Sequence, residues 1–316
     1  MRLEKKGARM KIAIMGSGGM GAYYGANLAA AGQDIAFIAR GAHLAAIKHK
    51  GLLLTGPAGN IVVDPAVATD DPSEIGPVDA VLFCVKLHDI ETAAVAIQPM
   101  LKPDTMVISV LNGVDGPERI ASVIGPNHVL GAAAYASGVI EEPGVVSYKS
   151  TMASLVLGEL DGKISARAEA FRGACAGAGF ICSVTDDILG VLWNKFIILA
   201  TNAGLSSLCR RPVAAVYGDP DLVVLARAMM EEIVAIATVL EIAIDPDIVE
   251  VSIARSKTFP LDMYASMYHD LARGQPLEVG GLSGHVTRLG SELGIPTPHH
   301  QTVFSCLKPF MNGDGG

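Results

Sequence analysis

The chain has 316 residues, 50% of them hydrophobic and 18% charged, and its formal net charge is −8. This length suits two domains that each bury a core, and the apolar composition excludes an intrinsically disordered chain. The negative charge, with no basic cluster interleaved with aromatic residues, argues against a nucleic-acid partner.

The sequence predicts a cytoplasmic protein without a membrane span. Its nearest candidate span, Leu222 to Ile244, is interrupted by charged residues and is expected to be a mostly buried helix. Residues 1–9 are basic but have no apolar core, so we expect a disordered extension rather than a signal peptide. The five cysteines form no C-x-x-C pair, which fits a reducing compartment and predicts neither a disulfide framework nor a metal site.

The first predicted element is a short buried strand, Ile12 to Met15, that runs into the glycine-rich segment Gly16-Ser17-Gly18-Gly19-Met20-Gly21. A helix-forming stretch, Ala22 to Ala31, follows. In this strand–turn–helix context the first glycine permits a tight turn, the second lets the backbone approach a pyrophosphate, and the third lets helix and strand pack closely. The segment therefore predicts a dinucleotide site at the helix N-terminus, and the alternative is a plain glycine-rich turn.

The second predicted strand, Gln33 to Arg40, indicates which cofactor is used. An enzyme that selects NAD is expected to place an acidic residue at the end of this strand, where it accepts from the ribose 2′-hydroxyl. Here that position is Arg40, and Asp34 lies at the opposite end. A guanidinium suits a 2′-phosphate, so the sequence predicts NADP (NADPH) as cofactor. The alternative is a solvated arginine at the end of a strand.

Strands and helices then alternate, which predicts a parallel sheet of the Rossmann type. A hairpin excursion is expected over Gly51 to Val63. Lys86 and Asn112 each stand at the carboxyl end of a predicted strand, where ligands bind in such sheets. The alternatives are a surface lysine and a turn-forming Asn-Gly pair. The remaining predicted elements are strands at Asp79 to Lys86, Thr105 to Gly113 and Phe180 to Val184, helices at Ile90 to Leu101, Glu118 to Ile124 and Ile164 to Ala178, and antiparallel strands within Val129 to Ser150 and Ala153 to Leu160.

The pattern becomes helical from Asp186 onward, so we predict a Rossmann domain over residues 10–185 and a helical substrate and dimerisation domain over residues 186–316. The first helix of this domain, Asp187 to Leu208, contains Lys195 among apolar residues. Desolvation favours the neutral amine there unless a charge compensates, and the alternative is a side chain that snorkels to water. Asn202 lies nearly two turns further along the same face, which favours a functional pair.

Taken together, these motifs resemble the ketopantoate reductase family (2-dehydropantoate 2-reductases) from Lys11 to about Phe310. The resemblance rests on the order and spacing of several short motifs rather than on any one of them. They are the glycine segment, Arg40, Val85-Lys86, Asn112-Gly113, Trp193-x-Lys195-Phe196, Ser266-Met267-x-x-Asp270, Leu277-Glu278-Val279 and Leu293-Gly294-Ile295-x-Thr297-Pro298.

The resemblance implies reduction of a small 2-oxo acid by NADPH in pantothenate biosynthesis. Lys195 would then be the general acid, assisted by Glu278. The residues implied to bind the cofactor are Gly16 to Gly21, Arg40, Lys86 and Asn112, and those implied to bind the substrate are Asn112, Ser266 and Glu278, with Asn202 added from its position on the helix.

Leu199 and Ala203 depart from the family pattern, which has asparagines at these two positions. Apolar side chains cannot bind the polar groups of ketopantoate. Three hypotheses therefore follow: a ketopantoate reductase, a reductase of another, less polar 2-oxo acid, and a dinucleotide-binding sensor without catalysis. The apolar helix at Leu222 to Ile244 also suggests a homodimer.

Overall fold

A computed structural model describes residues 9–64, 66–151 and 153–313 of the chain. These residues divide into two compact units. The first runs to Leu111 and resumes over Asp115–Ile188, and the second combines Asn112–Val114 with the described chain from Leu189 onward. The predicted extension over residues 1–9 lies outside the described residues except for Arg9, which is exposed.

All strands of the described chain lie before residue 185, and the rest is helical. In chain order the strands are β1 (Lys11–Met15), β2 (Asp34–Ile38), β3 (Leu52–Thr55), β4 (Ile61–Val63), β5 (Val67–Thr69), β6 (Ala80–Phe83), β7 (Met106–Ser109), β8 (Val129–Tyr135), β9 (Val139–Glu142), β10 (Val145–Ser147), β11 (Ser154–Glu159) and β12 (Ile181–Val184). The α-helices are α1 (Gly19–Ala30), α2 (Gly41–Lys50), α3 (Ile90–Ala96), α4 (Gly116–Ile124), α5 (Ala166–Ala174), α6 (Ile188–Cys209), α7 (Val213–Val216), α8 (Pro220–Val239), α9 (Ile248–Lys257), α10 (Ser266–Ala272), α11 (Ser283–Leu293) and α12 (Pro298–Leu307).

The main sheet has the strand order β12-β11-β8-β7-β6-β1-β2-β5. Neighbouring strands are parallel except β8 and β11, which form the antiparallel pair expected near the end of this domain. β6 and β7 are buried along their whole length, as in a parallel sheet covered on both faces. The predicted fold class, a Rossmann-type sheet followed by helices, is therefore confirmed.

The order in which strands are added to the sheet reverses at β1, and this reversal determines where the candidate cofactor site lies. From β1 the chain moves outward to β2 and β5 on one side, and then returns to β6 on the other side of β1. In open α/β sheets the crevice beyond the carboxyl ends of the strands at such a reversal is where ligands bind. The glycine segment, Arg40 and Lys86 follow β1, β2 and β6 respectively, so all three lie at this edge of the sheet.

A second, smaller sheet has the order β4-β3-β10-β9. Its β3 and β4 form the hairpin predicted over Gly51 to Val63, with Leu52 opposite Val63. The sequence did not predict that β10 would pair with β3 in parallel, with Val145 opposite Leu53. This pairing joins segments about 90 residues apart, and a local pattern carries no information about it.

Helix α6 is the described helix that is long and apolar enough to cross a membrane by length and composition. The sequence pointed instead to Leu222 to Ile244, which corresponds to the shorter helix α8. The difference arises because α6 carries Lys195 as its one charged residue, whereas α8 carries several. In α6, 67% of the most apolar window is buried inside the protein, which is the pattern of a core helix.

Within the second unit, the buried Glu232 of α8 caps the N-terminus of α12. Its carboxylate accepts hydrogen bonds from the backbone N–H groups of His299, at 2.8 Å, and His300, at 3.0 Å, and from Nδ1 of His299 at 2.7 Å. The first N–H groups of a helix have no partner inside the helix, so this acid satisfies donors that would otherwise be buried without one. The contact fixes α12 against α8.

We therefore expect Glu232→Gln to destabilise the protein by about 2 kcal/mol, because an amide N–H₂ would face backbone donors that need an acceptor. The free energy of unfolding from denaturant titration measures this. The matched control is Glu231→Gln on the exposed side of the same helix, which should change stability by no more than about 0.5 kcal/mol. Equal effects of the two substitutions would contradict the capping role.

Candidate active site

Three glycines of the glycine segment, which runs from the end of β1 into the first turn of α1, differ in what surrounds them. Gly16 has φ 91°, and a Cβ there would lie 2.9 Å from the backbone of Cys84 and Val85. A Cβ on Gly21 would lie 2.2 Å from the carbonyl oxygen of Gly16. At Gly18, by contrast, a Cβ would meet no heavy atom of the described chain within 4 Å.

These surroundings explain why glycine is required at Gly16 and Gly21, and they set Gly18 apart. Gly16 needs a left-handed backbone conformation, and Gly21 lets α1 pack directly on the turn. The Cβ position of Gly18 is open space at the N-terminus of a 12-residue helix, so packing within the protein does not require a glycine there. A phosphate group bound there would come within reach of the backbone N–H groups and the positive end of the helix dipole. The segment therefore fits the pyrophosphate of a dinucleotide.

Arg40 stands at the start of α2, just beyond β2, and its side chain is 67% exposed. Its Nη1 lies 3.7 Å from a carboxylate oxygen of Asp89. Asp89 ends a short 3-10 turn that begins after Lys86, and its backbone N–H donates to the carbonyl oxygen of Lys86 at 2.9 Å. A loose, exposed ion pair of this kind contributes little to stability, so Arg40 can exchange Asp89 for an anionic ligand.

In the second unit Lys195 is partly buried on α6, between the buried Trp193 and Phe196. Its Nζ donates a long hydrogen bond, 3.4 Å, to Oδ1 of Asn112. The carboxylate of the buried Glu278 lies near enough for its charge to act on the ammonium. The structure thus brings together three predicted site residues from chain segments more than 80 residues apart.

Burial lowers the pKa of Lys195 to about 8, and the negative charge of Glu278 opposes this shift. Burial disfavours the ammonium because the protein solvates it less well than water does, and the carboxylate partly restores it. Such a lysine is mostly protonated at neutral pH and yet gives up its proton more readily than an ordinary lysine. Acid catalysis is most effective when the pKa lies near the working pH.

Asn202 is on the same helix as Lys195 but is engaged elsewhere. Its Oδ1 accepts from the hydroxyl of Tyr217 at 2.6 Å, and its Nδ2 donates to Oγ of Ser256 at 3.2 Å. All three side chains are buried. Helix geometry predicted the face on which Asn202 lies but not these partners. In this structure the Asn202 amide links helices of the core and makes no hydrogen bond to the Lys195 group.

Ser266 is exposed at the first position of α10, in a segment where Tyr264 and Tyr268 stack with ring centroids 4.1 Å apart. Leu199 follows Lys195 by one helical turn and is partly exposed, whereas Ala203 is buried. Residues one turn apart share a face, so Leu199 gives the surroundings of Lys195 an apolar character.

Three contacts at the candidate sites were not predicted from the sequence: the Arg40–Asp89 pair, a hydrogen bond from His43 to the glycine segment, and the approach of Gly138 to Gly19. Each depends on long-range folding, and the one local signal was the extra glycine at position 19.

As for metals, residues 9–64, 66–151 and 153–313 contain no group of three or more His, Cys, Asp or Glu side chains that could hold an ion.

Comparison with known proteins gives one family for both parts of the chain. The family model described as ketopantoate reductase PanE/ApbA matches residues 12–162, and the model described as ketopantoate reductase PanE/ApbA C terminal matches residues 187–311. The chain is 32% identical to the 2-dehydropantoate 2-reductase of Mesorhizobium japonicum, over 95% of this chain and 97% of that protein.

Solved structures agree with this result. A PanE/ApbA family ketopantoate reductase from Ralstonia eutropha JMP134 has a TM-score of 0.88 and 32% identity, covering 96% of this chain and 98% of that one. A D-mandelate dehydrogenase solved with NADH and anilino(oxo)acetate has a TM-score of 0.87 over 96% of this chain and 98% of its own. Its identity is 24%, so that likeness concerns the fold.

The geometry around Lys195 predicts a measurable titration. In NMR spectra of the protein with labelled lysines, the Lys195 signal, assigned by its loss in Lys195→Arg, should titrate near pH 8. Glu278→Gln should lower this pKa further, because the substitution removes the charge that favours the ammonium. Glu292→Gln, on the exposed side of α11, is the control and should leave it unchanged. Titration near the ordinary lysine value of about 10.4 would refute the desolvation argument.

Proposed function

Because the chain belongs to the ketopantoate reductase PanE/ApbA family, a family of oxidoreductases, we propose that it reduces 2-dehydropantoate to pantoate with NADPH. The observation that carries this proposal is the partly buried Lys195, with its lowered pKa, beside Asn112 and Glu278. An ammonium that can release a proton is what the reduction of a ketone requires. The activity would belong to pantothenate biosynthesis.

The bound NADPH would supply the hydride that adds to the C2 carbon of the substrate. As that bond forms, the carbonyl π electrons move onto oxygen. Lys195 stabilises the developing negative charge and then donates the proton that completes the hydroxyl group. Because Lys195 loses a proton in each turnover, its pKa near 8 lets it recover one from water at neutral pH.

The neighbours of Lys195 would prepare it for this role. Glu278 keeps the ammonium charged before the reaction, and Asn112 holds Nζ in place through its carbonyl oxygen. Ser266, exposed at the start of α10, would donate a hydrogen bond to the substrate. Family resemblance and solvent exposure support Ser266, whereas the engaged amide of Asn202 favours a role in holding the core.

The first unit would bind the cofactor through its glycine segment, Arg40 and Lys86. The open position at Gly18 supports binding of the pyrophosphate, and the exposed guanidinium of Arg40 supports recognition of a 2′-phosphate. Asp89 works against the second interaction, because its carboxylate would repel that phosphate. The selectivity for NADPH over NADH would therefore be moderate.

A less polar 2-oxo acid is the second candidate substrate, and Leu199 is the observation that favours it. This side chain stands one turn from Lys195 where the family pattern has an asparagine, and it cannot bind a hydroxyl group. A non-catalytic dinucleotide sensor is less well supported, because it would leave the pairing of Lys195, Asn112 and Glu278 without a purpose.

We further propose a cytoplasmic homodimer. The valines of α8 at positions 224 and 239, 68% and 56% exposed, support the dimer.

Lys195→Ala tests the catalytic proposal. Single-turnover oxidation of bound NADPH by 2-dehydropantoate should slow by roughly two to four orders of magnitude, while NADPH affinity stays close to that of the wild type. In the wild type the rate should fall as the pH rises above about 8, because the proton donor is then neutral. The control is Lys257→Ala, an exposed lysine of α9.

A rate of Lys195→Ala within about threefold of the wild type would remove Lys195 from the mechanism. The same assay with 2-oxoisovalerate and benzoylformate decides between the two enzyme hypotheses. Higher kcat/KM for either of these than for 2-dehydropantoate would establish a less polar substrate, and no turnover of any of the three would favour the sensor.

Arg40 and Asp89 should affect cofactor affinity in opposite directions. Arg40→Asp should weaken NADPH binding sharply and shift preference toward NADH, since it replaces the guanidinium with a repelling charge. Asp89→Asn should tighten NADPH binding by about two- to fivefold, the size expected of an exposed ion pair, and leave NADH nearly unchanged. Fluorescence titration with both cofactors measures this, and unchanged NADPH affinity in both variants would refute the NADP assignment.

A further inference from the structure

The side chain of His43, on α2, connects the glycine segment to another part of the first unit. Its Nε2 lies 3.0 Å from the carbonyl oxygen of Ser17, and its Nδ1 lies 3.1 Å from the backbone nitrogen of Gly144. Gly144 is the turn residue between β9 and β10, and its carbonyl oxygen accepts from the backbone N–H of Leu53 at 2.9 Å. One imidazole therefore ties the segment between β1 and α1 to the smaller sheet.

The two contacts determine the protonation state of His43. A backbone N–H donates, so Nδ1 must accept from Gly144 and carry no proton. A carbonyl oxygen accepts, so Nε2 must carry the proton that it donates to Ser17. Both nitrogens are satisfied in this neutral form. Burial lowers the pKa of His43, while the hydrogen bond to Ser17 opposes the shift, so burial also favours the neutral ring.

This hydrogen bond fixes the direction of the N–H group of Gly18. In a trans peptide the carbonyl of one residue and the N–H of the next lie in one plane and point in opposite directions across the C–N bond. With the oxygen of Ser17 held toward His43, the N–H of Gly18 points away from His43. The other peptide bond of Ser17 is fixed as well, because its N–H donates to the carbonyl oxygen of Ile38 at 2.9 Å.

A second contact joins the glycine segment to the β9–β10 hairpin at the hairpin's other end. A Cβ on Gly19 would lie 1.9 Å from the carbonyl oxygen of Gly138, and a Cβ on Gly138 would lie 2.2 Å from the carbonyl oxygen of Gly19. The two backbones touch, which requires glycine at both positions. The hairpin is thus fixed to the segment at Gly138, before β9, and at Gly144, before β10.

We propose that His43 is a positioning residue for the dinucleotide pyrophosphate, because it holds the Ser17–Gly18 peptide in the orientation that presents the Gly18 N–H to the ligand, with the β9–β10 hairpin as its anchor. This proposal rests on the proposed dinucleotide site. His43 itself touches no phosphate. It lowers the cost of binding by keeping a donor pre-organised.

The test compares two ligands that differ in the pyrophosphate. NADPH uses the whole site, whereas 2′-AMP carries the adenosine and the 2′-phosphate but no pyrophosphate. In His43→Phe, which keeps a ring but loses both hydrogen bonds, the Kd for NADPH should rise about tenfold, the effect of one lost orienting hydrogen bond. The Kd for 2′-AMP should stay within twofold and kcat at saturating NADPH should change little. His43→Gln, which can still donate to Ser17, should recover most of the NADPH affinity.

An unchanged Kd for NADPH in His43→Phe would overturn the proposal, and so would equal weakening of both ligands, which indicates general damage. If the wild type binds neither NADPH nor NADH, the dinucleotide site itself is refuted, and this inference with it. Should His43→Phe fail to fold, ¹⁵N NMR of the wild-type imidazole decides: a neutral ring protonated at Nε2 is expected with and without NADPH. A charged ring or a ring protonated at Nδ1 would overturn the assignment.

Discussion

Direct contact between backbones, without side chains in between, governs the carboxyl end of β1. Gly16 packs on the residues after β6, Gly21 packs on Gly16, and Gly19 packs on Gly138. A Cβ at any of these positions would lie less than 3 Å from a backbone atom, so the turn can form only with glycine there. The result is a helix N-terminus held rigidly at the point where the strand order reverses. Among the four glycines of the segment from Gly16 to Gly21, Gly18 is the one whose Cβ position is open.

The second unit depends on a different balance, between desolvation and charge. Lys195 loses hydration on an apolar helix, and Glu278 restores part of the stability of its ammonium. Either effect alone would make the lysine a poorer acid catalyst. Full burial without the acid would leave it neutral, and a strong ion pair in water would hold its proton too firmly. The hydrogen bond to Asn112 adds a geometric constraint, because it fixes the position of the Lys195 Nζ.

The fold was predictable because its signals are local. Hydrophobic runs, glycine turns and their alternation determine the main sheet, and the order of the motifs determines the family. Lys195 was recognisable because a charge in an apolar helix is locally anomalous. Asp89, His43 and the second half of the small sheet were not predictable, since their partners lie about 50, 26 and 90 residues away. For the same reason helix geometry predicted the face of Asn202, but Tyr217 and Ser256 determine what it binds.

Leu199 stands where the family pattern has an asparagine. Under the proposed function, this difference would affect substrate specificity more than catalysis. A site that hydrogen-bonds a substrate hydroxyl rejects analogues that lack the hydroxyl by roughly 10⁴-fold, because a buried polar group of the protein is then left without a hydrogen-bond partner. An apolar site has no such group to leave unpaired, and it discriminates between a methyl and a hydroxymethyl group by only about 10²-fold or less. Leu199 would therefore broaden the range of 2-oxo acids accepted near Lys195 rather than exchange one strict preference for another. The acid function proposed for Lys195 would be unaffected by this choice, since it would act on the ketone that all such substrates share.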